Sequence, residues 1–190
     1  MLIHWGRGLS VRLREVKYRK WKVLYLTVLP NRPIKKDSTV SFLFSNLYRF
    51  LKDARVKILL EKIYGLSSLR EDTAAIRNRC IKMMRENTTI PFTYIGSVPC
   101  IGGQIAGVQI IGVIQDDKKT KVDTIFFNEE PVGRVFETDE FKGIYLSGIS
   151  GLRKDGKSER QSPTRQAEYI VEQCQNVFGR QGLTARNIIR

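Results

Sequence analysis

The chain has 190 residues, of which 42% are hydrophobic and 27% charged, and its formal net charge is +14. This length allows one sizeable core or two small ones, and the composition excludes a disordered chain. No apolar run reaches the roughly 18 residues of a membrane-spanning helix, so we predict no membrane partner. The three cysteines are odd in number and widely spaced, which favours a reducing, cytoplasmic location without a disulfide framework.

The positive charge is concentrated near the N-terminus, where residues 1–36 contain ten Lys or Arg and a single acidic residue, Glu15. We interpret residues 1–20 as a basic N-terminal arm. Trp5, Tyr18 and Trp21 could stack on bases, so nucleic acid is one candidate partner. A solvated arm, or an arm that binds an acidic partner, is also compatible with this composition.

The first half of the chain shows a strand, a helix and a second strand. Residues 21–29 are β-prone and end at Pro30, and Ser38 is a suitable cap for the helix that follows. The apolar positions of that helix fall on one face: Val40, Leu43, Phe44, Leu47, Leu51 and Ala54. Residues 57–64 are continuously apolar around Glu61, which predicts a central strand.

A second helix and a glycine-rich segment come next. Ser68 and Glu71 have the spacing of a capping box, and the helix would direct Ile76, Cys80, Met83 and Met84 inward before ending at Asn87. Residues 90–114 are β-prone but interrupted by five glycines, which indicates bent strands or backbone that another group approaches closely. The segment lacks the Lys-Ser/Thr ending of a phosphate-binding loop.

The remaining residues predict three short strands and a long helix. The strands are 122–127, 132–136 and 143–147, with a turn at residues 128–131 between the first two. Ser162 and Pro163 begin the helix and Gly182 ends it. Its apolar stripe consists of Ala167, Ile170, Val171, Cys174, Val177 and Phe178. A further strand is expected to start at residues 187–189.

Two parts of the chain are similar to each other. Residues 24–27 (LYLT) match residues 144–147 (IYLS), and each run precedes a basic loop and a Ser-capped helix. Beyond the helices, residues 54–59 match residues 185–189. We therefore predict one complete module in residues 21–115 and an incomplete second copy in residues 122–190.

These motifs resemble the RidA/YjgF superfamily, also called endoribonuclease L-PSP-like. The resemblance rests on residues 143–148 (GIYLSG), on residues 164–167 (TRQA) and on Asn176. The duplication, with residues 91–96 (PFTYIG) and the Gly102–Gly103 pair between the copies, is similar to the chorismatases, whose chains carry two RidA-like halves. The resemblance covers residues 22–190 and suggests a truncated tandem-module chorismatase.

The resemblance implies a fold and a function. The fold would be α+β, of the RidA-like or chorismate-mutase-like kind, with helices packed on one face of a mixed sheet. The chain would form a homo-oligomer, a trimer, and bind a small acidic or imine ligand in a cleft between modules. Pyruvate release from chorismate, or hydrolysis of an enamine or imine, would follow without a cofactor.

The resemblance also implies ligand-binding residues, which are Ser147, Gly148, Ile149, Ser150, Gly151, Gly102, Gly103 and Tyr94. The chain departs from the family where a substrate-binding Arg and an aromatic pair are replaced by Glu61, Ile63 and Gly65. It has no counterpart of the catalytic acid or of the deaminase arginine. We expect weak catalysis or none, and the alternative is a basic binding module without catalysis.

Other chemistry has little support in the sequence. His4 is the sole histidine, which excludes triads and multi-histidine metal sites within one chain. Cys100 is a candidate nucleophile, although a buried structural thiol is the simpler interpretation. We predict no metal site, because the acidic pairs at residues 116–117 and 129–130 lie in polar turns. Glu137, Asp139 and Glu140 are candidate general acids, and Arg153, Lys154 and Lys157 could attract an acidic ligand.

Overall fold

The computed structural model describes residues 2–4, 8–35, 37–84, 89–100, 102–115, 121–149 and 162–187. In these residues the chain forms a six-stranded sheet, a three-stranded sheet and three α-helices. The predicted α+β class is confirmed. No helix in the described ranges combines the length and apolar character that crossing a membrane requires.

The larger sheet is formed by the first two thirds of the chain. Its strands are β1 (Leu2–His4), β2 (Leu9–Lys17), β3 (Trp21–Pro30), β4 (Val56–Gly65), β5 (Thr93–Gly96) and β6 (Ile105–Gln115). They lie in the order β1-β2-β3-β6-β4-β5, and the β4–β5 pair is parallel. Helices α1 (Asp37–Asp53) and α2 (Arg70–Ile81) pack on one face of this sheet and enclose the main core.

The smaller sheet consists of β7 (Lys121–Phe127), β8 (Glu130–Glu137) and β9 (Lys142–Leu146). Asn128 and Glu129 join β7 to β8 with φ angles of 48° and 66°, as a tight hairpin requires. Phe136 of β8 packs on Leu59 and Val113 of the larger sheet. This contact joins the two sheets on the face that α1 and α2 leave uncovered.

The predicted strand, helix and strand of the first half are confirmed. The apolar face of α1 is buried at Val40, Leu43, Phe44, Leu47, Tyr48 and Leu51. Strand β4 lies between β6 and β5, and it is buried on both sides because Ile58 joins the main core whereas Leu59 packs on Phe136. Consecutive side chains of a strand point to opposite faces, and the β4–β6 pairing also has an irregularity between Ile58 and Leu60.

The basic N-terminal segment contributes a strand to the larger sheet. Strand β2 pairs with β3 from Leu9 opposite Pro30 to Lys17 opposite Lys22. Leu9 and Val11 are buried in the main core, at 1% and 0% exposure. Arg12, Arg14 and Lys17 are thereby held on the sheet.

The predicted capping box at Ser68 and Glu71 is wrong. Ser68 lies inside a 3₁₀ turn, Ser67–Leu69, that leads directly into α2. The residue that caps α2 is Leu69, which makes no side-chain capping bond. The inward positions are largely correct, since Ile76 and Cys80 are buried and a second 3₁₀ turn carries Met83 and Met84 against the core. The predicted end at Asn87 lies outside the described residues.

Helix α3 (Pro163–Arg180) has the predicted ends. The Ser162 hydroxyl accepts a hydrogen bond from the Arg165 backbone nitrogen, and Gly182 has a φ of 69°. Leu183 donates to the carbonyl of Phe178 at 2.8 Å, which completes a glycine C-cap.

The apolar stripe of α3 is mostly uncovered. Val177 is buried against the smaller sheet, whereas Ile170 and Val171 are 37% and 53% exposed. Residues 185–187 form a 3₁₀ turn, so the predicted strand does not begin at Asn187. Residues 188–189 lie outside the described part of the chain.

Candidate functional site

The predicted loop begins at Ser147 and Gly148, directly after β9. The Ser147 backbone nitrogen donates to the Val132 carbonyl, and the Gly148 nitrogen donates to the Thr93 hydroxyl at 3.0 Å. Ser147 is 1% exposed, and its hydroxyl has no hydrogen-bond partner among the described residues. Ile149 packs beside the core of the smaller sheet. Ser150 and Gly151 lie outside the described residues.

Tyr94 does not face the Ser147–Gly148 turn. It follows Thr93 on β5, and successive side chains of a strand point to opposite faces. Its hydroxyl donates to the Leu66 carbonyl at 2.8 Å on the side of α2, where burial raises the pKa of the phenol. The structure therefore separates Tyr94 from the loop with which the resemblance grouped it.

The Gly102–Gly103 pair lies at a third position. Gly103 forms a parallel bridge with Ile34, and Gln104 donates to the Ile34 carbonyl at 2.7 Å. A Cβ atom on Gly103 would lie 2.6 Å from the Ile34 nitrogen and oxygen, so the group that approaches this backbone closely is the chain itself. Gly102 has open space around its Cα. The sequence predicted backbone that another group approaches closely, and at Gly103 that group is Ile34.

Glu61 stands where the sequence resemblance led us to expect a substrate-binding arginine. It is fully buried beneath α1 and α2, where Arg77 forms an ion pair with its Oε2 atom and Tyr48 donates to its Oε1 atom at 2.6 Å. Burial raises the pKa of Tyr48, and the Glu61 carboxylate raises it further. The Arg77 Nη2 atom also donates to the Ile90 carbonyl at 3.0 Å. Glu61 thus belongs to a buried ion pair in the described structure.

A cleft of about 310 Å³ lies between the two sheets, at the turns that join β2 to β3 and β8 to β9. Its walls are aromatic and apolar: Tyr18, Trp21, Val23, Tyr25, Phe141 and Tyr145. Tyr18 and Trp21 stack with their ring centres 3.9 Å apart and their planes at 13°, and Phe141 stacks on Trp21 at 5.9 Å. These rings provide flat surfaces for a planar ligand.

Polar groups of both signs also line this aromatic cleft. Arg19 and Lys20 come from the β2–β3 turn, whereas Asp139 and Glu140 come from the β8–β9 turn. Burial raises the pKa of the Tyr145 hydroxyl, and the nearby phenols of Tyr25 and Tyr18 raise it further. Tyr145 therefore remains a hydrogen-bond donor at neutral pH. Two candidate general acids, Asp139 and Glu140, thus line the cleft, while Glu137 is absent from its lining.

Sequence reasoning identified parts of this cleft but did not assemble them. Tyr18 and Trp21 were predicted to stack on bases, and they stack on each other. Tyr25 and Tyr145 occupy equivalent positions in the two similar runs, LYLT and IYLS. That equivalence was the one available indication that the two similar runs contribute matching phenols. Their approach in space depends on how the sheets pack, which local patterns do not encode.

The cysteines differ from their predicted environments. Cys100 is exposed, so the buried structural interpretation is wrong, and Cys174 is half-buried rather than core. Cys80 is buried as expected, with its sulfur 3.4 Å from the Ser45 hydroxyl. Within the described ranges, no three His, Cys, Asp or Glu side chains are grouped so as to hold a metal ion. The acidic pair at residues 116–117 lies outside those ranges.

These environments predict an order of thiol labelling. Cys100 should react first with iodoacetamide in the native protein, because its thiol is exposed. Cys174 should react more slowly, since burial raises the pKa of its thiol and lowers the thiolate fraction. Cys80 should react only on unfolding. Peptide mass spectrometry over time checks this order, and labelling of native Cys80 as fast as Cys100 would contradict it.

Comparisons with known proteins place the fold. No protein-family model matches the sequence, and a search of curated proteins finds no match. Among solved structures, the chain is similar to a crystal structure of a chorismatase, with a TM-score of 0.61 and 12% sequence identity. The similarity covers 95% of this chain and 61% of the chorismatase chain, so the protein spans less than two thirds of that structure's length. The chain therefore has a chorismatase-like α+β fold.

Proposed function

We propose that the protein binds a small, ring-bearing acid in the aromatic cleft, as a chorismatase-like protein with weak catalysis or none. The observation that carries this proposal is the cleft itself, an aromatic space of about 310 Å³ between the two sheets. A cleft of this size with a few polar groups is typical of a small-molecule site. The chorismatase-like fold supports chorismate as the first ligand to test.

The cleft offers complementary contacts for such a ligand. A flat ring can stack on the Tyr18–Trp21 pair, and its carboxylates can pair with Arg19 and Lys20. Releasing pyruvate from an enol ether requires protonation of the terminal carbon, addition of water at the ether carbon, and cleavage of the carbon–oxygen bond to give pyruvate and a ring hydroxyl. Asp139 and Glu140 are the carboxyl groups in the cleft that could exchange these protons.

Isothermal titration with chorismate tests the binding. We expect a saturable heat that is lost or strongly reduced in Tyr18→Ala and in Arg19→Glu, since the first removes a stacking surface and the second reverses a charge. Arg49→Glu is the matched control, because Arg49 is an exposed residue of α1, outside the cleft lining. Equal affinities in all three variants, or no heat with a folded wild-type protein, would overturn the proposal. Coupled detection of pyruvate in the same samples measures turnover.

The Ser147–Gly148 turn remains a second proposed position for the same ligand. Its support is the buried Ser147 hydroxyl, which has no partner among the described residues. If a ligand accepts a hydrogen bond from this hydroxyl, Ser147→Ala weakens chorismate binding and Tyr18→Ala does not. The opposite pattern assigns the ligand to the aromatic cleft.

The same hydroxyl predicts an effect on stability. Burying a hydroxyl without a partner costs about 1–3 kcal/mol. In the absence of ligand, we expect Ser147→Ala to leave the free energy of unfolding unchanged or to raise it by about 1 kcal/mol. Urea unfolding followed by circular dichroism measures this difference. A loss above about 1 kcal/mol would show that the hydroxyl has a partner in the native protein.

A further inference from the structure

The face of the larger sheet opposite α1 and α2 carries a basic and aromatic surface. The side chains of Leu13, Leu24, Leu26 and Ile110 point toward the helices and belong to the main core. Their neighbours along each strand point the other way, because side chains alternate. The smaller sheet contacts this opposite face near Leu59 and Val113. Exposed side chains lie across the rest of it.

Strand pairing places these side chains in two rows across four strands. In one row Arg14 lies opposite Tyr25, Tyr25 opposite Ile111, and Ile111 opposite Leu60. In the other, Arg12 lies opposite Thr27, Thr27 opposite Gln109, and Gln109 opposite Lys62. Directly paired residues share a face of the sheet. With about 4.8 Å between strands, each row is roughly 15 Å long.

The charge of these rows has one sign. Arg12, Arg14 and Lys62 are basic, and none of the eight residues in the rows is acidic. The acidic residue of β2, Glu15, lies opposite Leu24 and therefore on the helix side, where Lys17 and Lys22 lie 3.8 and 3.6 Å from its Oε1 atom. Strand β2 thus directs Glu15 to one face and Arg12 and Arg14 to the other. The three cations of the two rows favour anions on this second face.

Aromatic rings accompany the cations. Tyr25, at 44% exposure, lies between Arg14 and the aromatic cleft, of which it forms part of the wall. Tyr64 lies on the same face, because its hydroxyl donates to the Gln109 side chain at 2.9 Å. A polyanion without rings cannot stack on these tyrosines. The bases of a single-stranded nucleic acid can stack on them.

We propose that this face binds single-stranded nucleic acid. Arg12, Arg14 and Lys62 contact backbone phosphates, and a base stacks on Tyr25. A duplex fits less well, because its bases are not accessible for stacking on a flat sheet. The basic N-terminal segment acts here as a fixed strand, which is a different role from that of a solvated arm. This face and the small-molecule site share Tyr25, but the proposal does not require that chorismate binds.

Fluorescence anisotropy with a labelled oligo(dT) or oligo(U) of twelve nucleotides tests it. For the double variant Arg12→Ala/Arg14→Ala we expect weaker binding at every salt concentration. The slope of log K against log salt should also become shallower by about 1.4, since each phosphate contact on a single strand contributes about 0.7. Tyr25→Leu should weaken binding by about 5- to 150-fold without changing that slope, because stacking is not electrostatic.

The control removes the same charge from the helix side. Arg49→Ala/Arg79→Ala takes two exposed arginines from α1 and α2, so it matches the double variant in net charge. If it weakens binding as much as Arg12→Ala/Arg14→Ala, the attraction is diffuse and the proposal is wrong. An unchanged affinity in Tyr25→Leu, or heparin bound as tightly as the oligonucleotide, would also overturn it by showing a general polyanion surface.

A second copy of the chain could cover this face instead. Light scattering at the concentrations used for binding decides this point. If the wild type is an oligomer that dissociates in Arg12→Ala/Arg14→Ala and does not bind oligonucleotide, the face is a subunit interface and the proposal fails. A failure of chorismate binding leaves this result unaffected, since the two tests use different probes.

Discussion

Replacing Arg77 by alanine is expected to lower the free energy of unfolding by about 3–5 kcal/mol, which is the largest loss that we predict for a single side chain. Arg77 donates from Nε and Nη2 to one oxygen of Glu61, at 3.1 and 2.5 Å, and Tyr48 donates to the other oxygen. Glu61 is 0% exposed. Without Arg77, the Glu61 carboxylate would remain buried. Of these contacts, the Tyr48 hydroxyl would be its one remaining side-chain donor.

The ion pair also holds neighbouring segments together. Arg77 reaches the Ile90 carbonyl, and its guanidinium lies 4.6 Å from the centre of the Phe92 ring. These contacts attach the segment before β5 to helix α2. Although burial alone lowers the pKa of Arg77, the Glu61 carboxylate raises it, and the net shift is upward. Arg77 therefore remains charged across the pH range in which the protein would be assayed.

Urea unfolding of four variants separates charge pairing from side-chain size. Arg79→Ala is the control, because Arg79 is an exposed residue two positions along the same helix, and it should cost less than about 0.5 kcal/mol. Arg77→Met and Glu61→Leu should each be strongly destabilising, since each leaves one buried charge alone. The double variant Glu61→Leu/Arg77→Met should cost clearly less than the sum of the two. Strict additivity would mean that the two charges do not stabilise each other.

The sequence was sufficient to predict elements whose periodicity and packing agree. Helix α1 has six buried positions at helical spacing, and β4 has apolar residues that pack on both of its faces. The caps of α3 also follow local rules, with Ser162 at one end and Gly182 at the other. In these segments, local propensity and tertiary burial favour the same structure.

Elements whose pattern is open to two interpretations were predicted less well. Strand β2 alternates Leu9, Val11 and Leu13 with Arg12 and Arg14, a pattern typical of a half-buried strand. Its high charge suggested an arm, and the alternation could have corrected this. In contrast, nothing local to α3 indicates that Ile170 and Val171 are left uncovered, because exposure depends on which elements pack against the helix.

In the candidate site, too, features that depend on tertiary packing were predicted less well than local ones. The residues near Ser147 and Tyr94 were grouped by a resemblance between sequences, but β5 places them on opposite sides. The aromatic cleft uses Tyr25 and Tyr145, which are 120 positions apart in the chain. Only the contact between the two sheets brings such distant residues together, and that contact depends on a few large side chains such as Phe136 and Trp21.

Gly103→Ala is the second variant for which we expect a large effect. Its effects on stability and on chorismate affinity distinguish a packing role of this glycine from a ligand-binding role. The Gly103 φ angle is 93°, a backbone conformation that residues other than glycine rarely adopt. An added Cβ atom would also clash with the Ile34 backbone. Backbone strain costs about 1–2 kcal/mol, and forcing apart packed backbone adds about 1–3 kcal/mol. We therefore expect a loss of about 2–5 kcal/mol in the free energy of unfolding.

Gly102→Ala is the matched control, because Gly102 has a similar φ of 74° but open space around its Cα. Gly102→Ala should introduce backbone strain without a clash and lower the free energy of unfolding by about 1–2 kcal/mol. If Gly103 serves only to let Ile34 approach, Gly103→Ala lowers stability but leaves the chorismate affinity of the folded fraction unchanged. If this glycine also has the ligand-binding role that the sequence resemblance implies, Gly103→Ala lowers the chorismate affinity of the folded fraction as well as the stability. Urea unfolding and titration of both variants at a temperature where each is folded decide between these roles, and the contact with Ile34 favours the first.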